Sequence, residues 1–356
     1  MLKTRILTSQ LTFLTSPFFR RIPLCISDFE SVYNLLIALV KDAAPEAVPK
    51  LVKSIAQTIA ESSAERAQMK LKVLSNLYNN VDTSSPARYD VFIAIITVAA
   101  KSDELDVIVP TLPALDTWIA QWGITVAQKR ALYLLLSSKL GESEAYQRES
   151  YQYALKHLIT FDGADAAAVK SAKDHAVAAI KTAITLPEVL SFEDLFRIQA
   201  VQALKGTKLF DLLKIFLEES LDAYRAFVKK NAGFVEKEGL SEEDNTRKMR
   251  LLSVASLAAS HVQGEVDYDT IAKVLDIEVD EVEIWIIDVI RAGLIDAKMN
   301  QLRRTMIVSR STHRVFTEEQ WQQLGEKLTA WRSNLKEVLQ VLANAKLIAG
   351  TQDIAI

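Results

Sequence analysis

Between residues 28 and 231, apolar side chains return at every third or fourth position in ten successive segments, each closed by a short polar break. A chain written this way has to fold as consecutive helices that bury their apolar faces against one another. The segments are 28–41, 45–61, 64–79, 86–101, 111–121, 125–140, 144–160, 165–184, 192–204 and 207–231. In the third, Met69, Val73 and Leu77 together with Leu71, Leu74 and Tyr78 make one broad face. Pro45 and Pro86 suit first-turn positions and Ser84 or Ser85 suits a cap, while Gly123, Gly141, Gly163 and Gly206 fall where a helix must end. Only 10 glycines and 8 prolines punctuate 356 residues, too few for a many-stranded sandwich or barrel. A closed bundle and a superhelical stack of antiparallel pairs both fit short connections; the stack is expected, giving a mainly α chain.

The rhythm shortens after Gly264. Ser241-Glu-Glu-Asp244 opens a helix carrying Met249, Leu252, Ser256 and Ala259 on one face. Ile271 to Leu275 makes a brief helix, and Asp280-x-x-Glu283 reads as the capping box of another, with Val282, Trp285, Ile286 and Val289 at helical spacing. Gly293 stops it. Alternating residues 294–298 and 305–309 around Asn300-Gln301 then read as a β-hairpin. Helix, turn, helix and hairpin make a winged helix, expected over 245–316 within a domain of 186–316 that follows helical repeats at 28–185.

The charges decide against groove reading. The helix that would enter DNA holds Asp280, Glu281, Glu283 and Asp288 against Arg291 alone, so it would face phosphates with like charge. The wing differs: Lys298, Arg303, Arg304, Arg310 and Arg314, with His313, stand between Asp296 and Glu318 with no acid among them. That run suits RNA phosphates or an acidic partner, and equally a solvated turn.

At the end of the chain, Trp321, Leu324, Leu328, Trp331, Leu335, Val338 and Leu342 fall at spacings of 3, 4, 3, 4, 3 and 4. This a/d seam of period 3.5 is narrower than the stripe of a helix lying on a globular surface. A helix over 317–349, capped by Thr317-x-x-Gln320, is expected to pack along other helices, either in its own domain or in a bundle between chains.

Elsewhere the sequence supplies little chemistry. It holds no dinucleotide, P-loop, nucleophile-elbow or zinc-protease motif. His157, His175, His261 and His313 are far apart in the chain, and the single cysteine, Cys25, leaves no thiolate zinc centre and no disulfide framework. Carboxylate pairs such as Glu242/Glu243 and Glu218/Glu219 read as caps or solvated faces. No cofactor is expected and no enzyme activity has positive support. Net charge is −3, from 42 basic and 45 acidic residues, so no global field draws the chain to nucleic acid or anionic lipid. The longest apolar run, 91–100, is broken by Thr97 and is about half of what a bilayer needs, so no membrane partner is expected. Residues 1–27 contain no acid and carry Lys3, Arg5, Arg20 and Arg21, a composition shared by mitochondrial presequences, disordered tails and misassigned starts.

Stacked helix pairs leading into a winged helix and a terminal bundling helix resemble the PCI proteins, scaffolds of the proteasome lid, the signalosome and translation initiation factor three. Within them the chain is similar to the subunit M family of that initiation factor. The likeness rests on Leu74-Ser-Asn-Leu77, Pro86-x-Arg-Tyr89, Lys248-Met-Arg-Leu-Leu252, Asp280-Glu-Val-Glu283 and Ile287-Asp-Val-Ile290. Above all it rests on Ser309-Arg-Ser-Thr-His-Arg314 followed by Gln320-Trp-Gln-Gln-Leu324, Trp331 and Asn334-Leu335. It covers residues 64 to 342, weaker back to 28, and leaves out 1–27, whose deletion is expected to leave assembly unchanged.

The resemblance implies a non-catalytic, cytoplasmic scaffold subunit that meets other PCI subunits, and the small ribosomal subunit through the complex, with no DNA contact. Two surfaces are expected to hold it. The seam inserts into a shared bundle, and Met306, Ile307 and Val308 lie near a sheet edge open to the next subunit. A signalosome or lid scaffold, a stand-alone RNA-binding module and a helical-repeat enzyme are the rival readings.

Overall fold

The computed structural model describes residues 28–41, 43–62, 66–315 and 318–352. The basic leader with Cys25, and the expected cap at Thr317, lie outside the described residues. The chain divides into two compact units, 28–186 with Arg197–Lys205, and Pro187–Phe196 with the residues from Gly206 onward. The return of Arg197–Lys205 to the first unit departs from the expected simple division near residue 185.

The first unit is a succession of helices: α1 (Asp28–Lys41), α2 (Val48–Glu61), α3 (Ala67–Asn80), α4 (Ala87–Lys101), α5 (Leu115–Trp122), α6 (Val126–Gly141), α7 (Gln147–Ile159), α8 (Ala166–Ser171) and α9 (Lys173–Thr185). Each packs chiefly on neighbours one or two places along the chain, as α1 on α3, α2 on α4, α4 on α6 and α7 on α9. This is the layered stack, not a closed bundle. Helix α4 is apolar around most of its circumference, and Val91, Phe92, Ile96 and Ala99 are buried as it packs on α2, α3 and α6. Trp118 and Trp122 of α5 stand 6.4 Å apart, and Phe92 is 5.7 Å from Trp122, an aromatic cluster at the centre of the core.

Local chemistry moved several boundaries. Pro49, not Pro45, occupies the first turn of α2. Pro86 takes the N-cap position of α4, and the Ser85 hydroxyl just ahead of it accepts from the Ala87 N–H at 3.3 Å, so the expected serine cap is displaced by one residue. The segment expected at 111–121 opens as a 3-10 helix, Val109–Ala114, because Pro110 and Pro113 supply no N–H for regular α bonding. Thr125 and Gln128 form a reciprocal capping box on α6, and Gly141 lies inside its last turn. The segment 165–184 is two helices with a junction at Ala172. The segment 192–204 divides into α10 (Glu193–Arg197) and α11 (Gln199–Gln202), and 207–231 into α12 (Lys208–Glu218) and α13 (Leu221–Lys230).

In the second unit, α12, α13 and the short α14 (Phe234–Lys237) precede α15 (Glu242–Ser260), whose first turn is capped by Ser241 through a 3.2 Å bond from the Asp244 N–H. Helix α15 packs on α13 and on every layer of the winged helix. Its buried face holds Asn245, Lys248, Met249, Leu252 and Ala255, whereas Ser256, expected on that face, is exposed.

After α15 come β1 (Glu265–Asp267), α16 (Tyr268–Leu275), α17 (Val282–Arg291), β2 (Ile295–Asn300), β3 (Thr305–Ser311) and α18 (Glu318–Gln352). The Asp280/Glu283 capping box does not form; a 3-10 turn, Val279–Glu281, precedes α17, and the Glu283 carboxylate accepts from Gln301 Nε2 at 2.9 Å. Gly293, at φ +72°, takes the left-handed conformation that ends α17 and turns the chain into β2.

Strand β1 escaped the sequence reading because three residues are too few to show alternation. Its presence changes the sheet. The order is β1-β3-β2, all antiparallel, with Met306 opposite both Val266 and Met299. Met306 and Val308 are buried beneath it with Val282, Ile286 and Val289.

Candidate functional site

Helix α18 is the longest element, 35 residues, or about 52 Å at 1.5 Å per residue. Trp321, Leu324, Leu328, Trp331, Leu335, Val338 and Leu342 are exposed by 60, 37, 52, 63, 45, 54 and 59%. The heptad spacing puts all seven on one side of the helix, over roughly 32 Å from first to last. The seam therefore does not lie folded into the core of its own domain. A stripe of this kind offers knobs and holes to other helices and nothing to a small molecule.

The sheet-edge expectation needs correcting. Met306, Ile307 and Val308 sit on β3, the middle strand, paired on one side with β1 and on the other with β2. The Gln263 N–H donates to the Val308 carbonyl at 2.9 Å, and the Val308 N–H donates to Gly264 at 3.1 Å. The backbone groups that β3 was expected to present to a neighbour are thus used internally, and the edge strands are β1 and β2.

The basic run also divides. Lys298, Arg303 and Arg304 are exposed about the hairpin tip, where Leu302 is 99% exposed. Arg310 lies 2.8 Å from Asp296 across the strands, an exposed ion pair. Arg314 faces inward: its guanidinium donates to the carbonyl oxygens of Glu219 at 2.8 Å, Ile215 at 3.2 Å and Phe216. These carbonyls stand at the C-terminal end of α12 and its cap residue Glu219; Ile215 also accepts from the Glu219 N–H at 3.0 Å, and a cation there meets the negative end of the helix dipole. Burial lowers the Arg314 pKa to about 10, so it stays charged at neutral pH. Arg314 is therefore a helix C-cap and no longer a nucleic-acid candidate.

Two contacts of polar side chains were not foreseen in sequence. Lys248 is buried on α15 with its ammonium 5.1 Å from the centre of the Phe192 ring. His157 and His175, distant in the chain, meet with ring centres 5.2 Å apart. His157 is buried, its Nδ1 lies 3.0 Å from the Arg130 carbonyl, and burial lowers its pKa. Among the described residues no three acidic, histidine or cysteine side chains gather as a metal site, and no helix is long and apolar enough to cross a membrane.

Residues 228–310 match the PCI domain family, and residues 314–342 match the family described as the C-terminal helix of eIF3 subunit M. Proteins named eukaryotic translation initiation factor 3 subunit M align over most of the chain. The Dictyostelium discoideum protein is 37% identical over 79% of this chain and 70% of its own length. The Phaeosphaeria nodorum protein is 38% identical over 90% and 74%, and the human protein 33% over 87% and 82%. This chain belongs to the subunit M family of eukaryotic translation initiation factor 3.

The family's C-terminal helix match begins at Arg314, and in this member that residue ties the segment leading into α18 to the end of α12. The Ser309-to-Arg314 string closes β3: the Ser311 hydroxyl donates to the Ala255 carbonyl at 3.0 Å, and the Thr312 N–H to Leu294 at 2.9 Å. The Gln320-to-Leu324 string opens the seam. Farther upstream, Arg88 of the Pro86-x-Arg-Tyr89 string donates to the Val81 carbonyl at 2.9 and 3.1 Å and lies over Tyr78. The Ser309-to-Arg314 and Pro86-to-Tyr89 strings therefore mark joints between elements, whereas those at 74–77, 248–252 and 287–290 lie inside helices.

Proposed function

We propose that this chain is a non-catalytic scaffold subunit of an initiation factor 3 complex, working in the cytoplasm on the small ribosomal subunit through its partners. The observation that carries this reading is the uncovered seam of α18. Seven half-exposed apolar side chains on one helix, each worth about 1 kcal/mol if the remainder is buried, favour insertion among helices of other PCI subunits. The names of the relatives point to the same complex. Three exposed bases at the wing give a second, weaker reading as an RNA contact made within the assembly.

The test is affinity purification of the tagged full chain from its own cells, with nuclease, beside a Leu328→Asp/Trp331→Asp variant. Stoichiometric initiation factor subunits that survive nuclease and disappear with the double variant are expected. Their retention by the double variant overturns the seam as the attachment. Signalosome or proteasome-lid subunits in their place overturn the assignment to this complex, and partners lost with nuclease move the attachment to the wing.

A further inference from the structure

We infer that the face between the first turn of α15 and helix α17 docks a basic, aliphatic-anchored segment of a partner protein. Ile284 is 63% exposed and Ile287 37% exposed on α17, one helical turn apart, so they form a ridge in water. This ridge borders a groove of about 800 Å³ lined by Ile284 and Trp285, with Glu242, Glu243 and Glu281 at its rim. In a DNA-binding winged helix the same helix would carry cations toward phosphates; here it carries aliphatic side chains among carboxylates.

The charge balance names the partner. Five carboxylates line the groove, since Asp244 and Asp288 join the three rim glutamates, against two guanidiniums, Arg247 and Arg250. Arg247 is held by Asp288 at 3.0 Å, and Arg250 lies over the Trp285 ring at 5.3 Å. Both cations are engaged within the protein, and the rim glutamates remain exposed to solvent. Carboxylates in the first turn of α15 complement its dipole, which accounts for Glu242 and Glu243 alone. Glu281, at the N-cap of α17, complements that helix's dipole in the same way, but neither dipole accounts for two isoleucines in water on α17. An occupant with an aliphatic side chain over Ile284 and Lys or Arg on either flank satisfies all of these together. Acidic segments and RNA are repelled by the same rim. The surface is separate from the α18 seam and does not rest on it.

The experiment places a photoreactive benzoylphenylalanine at position 284 of the full-length protein in its own cells and sequences the crosslinked peptide. The expected product is one peptide of net positive charge attached near an aliphatic residue, with yield reduced at least fivefold by Glu242→Lys/Glu243→Lys. Should that pair lower the melting temperature, Glu281→Lys on the other rim serves in its place. Crosslinks to RNA, to an acidic peptide or to nothing overturn the inference, as does a yield indifferent to charge reversal. Because the readout is the peptide and its charge dependence, loss of partners through the seam variant is scored independently.

Discussion

The Lys248 ammonium lies 5.1 Å from the centre of the Phe192 ring in the buried layer beneath α15. Burial drives its pKa down to about 7, against about 10.4 for an unfolded lysine. From pH 7 upward the unfolded chain therefore holds a proton that the folded chain has given up, and stability rises with pH until the unfolded lysine also titrates. Between pH 7 and 9 the gain is about 2 kcal/mol. Urea denaturation of the wild type and Lys248→Met across that window should show a slope in the first that is missing from the second. Equal slopes would remove the lysine as its source.

Arg314 gives a prediction of a different kind. It satisfies carbonyls at the end of α12 from a position just before α18. Arg314→Ala should destabilise the second unit by about 3 kcal/mol, and Arg314→Lys should recover only a minor part, because an ammonium lacks the planar fork. Calorimetry reads both. Unaltered melting in the alanine variant would return Arg314 to the pool of surface bases.

The seam variant separates attachment from folding. Leu328 and Trp331 are more than half exposed, so Leu328→Asp/Trp331→Asp should leave the melting temperature of the isolated chain within about 1 °C of the wild type. Ile286, fully buried beneath the sheet, is the control: Ile286→Asp places an unpaired charge in that core and should unfold the second unit. Circular dichroism melts distinguish the two.

In the first unit, Trp122 is almost fully buried among Tyr78, Phe92 and Trp118. Trp122→Ala should destabilise that unit by about 3–5 kcal/mol through the cavity it leaves, measured by denaturant titration.

The helical succession, the winged helix and the seam were legible because each repeats its pattern over many residues. Trp321 to Leu342 declares a period, and Val91 to Ala99 an apolar run broken only at Thr97, that no tertiary contact needs to supply. What stayed hidden depends on single long-range contacts. Strand β1 exists because Val266 finds Met306, and that one pairing turned β3 from an edge into a centre. Arg314 looked like one more base in a basic run until the carbonyls of Ile215 and Glu219, about a hundred residues upstream, met its guanidinium. Lys248 gave no signal, because a lysine in the string Lys248-Met-Arg-Leu-Leu252 is as compatible with a solvated face as with a buried one. The uneven division of residues 192–231 into short helices likewise reflects tertiary fit that propensity does not carry.

The exposed seam of α18 also bears on how much of this protein a cell can keep. A copy made in excess of its partners carries two tryptophans and five aliphatic side chains in water along a single helix. Chaperones and proteases act on such surfaces, so if the seam attaches the chain as proposed, surplus copies are expected to be removed while assembled ones persist. The abundance of the chain is then set by the supply of its neighbours rather than by its own rate of synthesis.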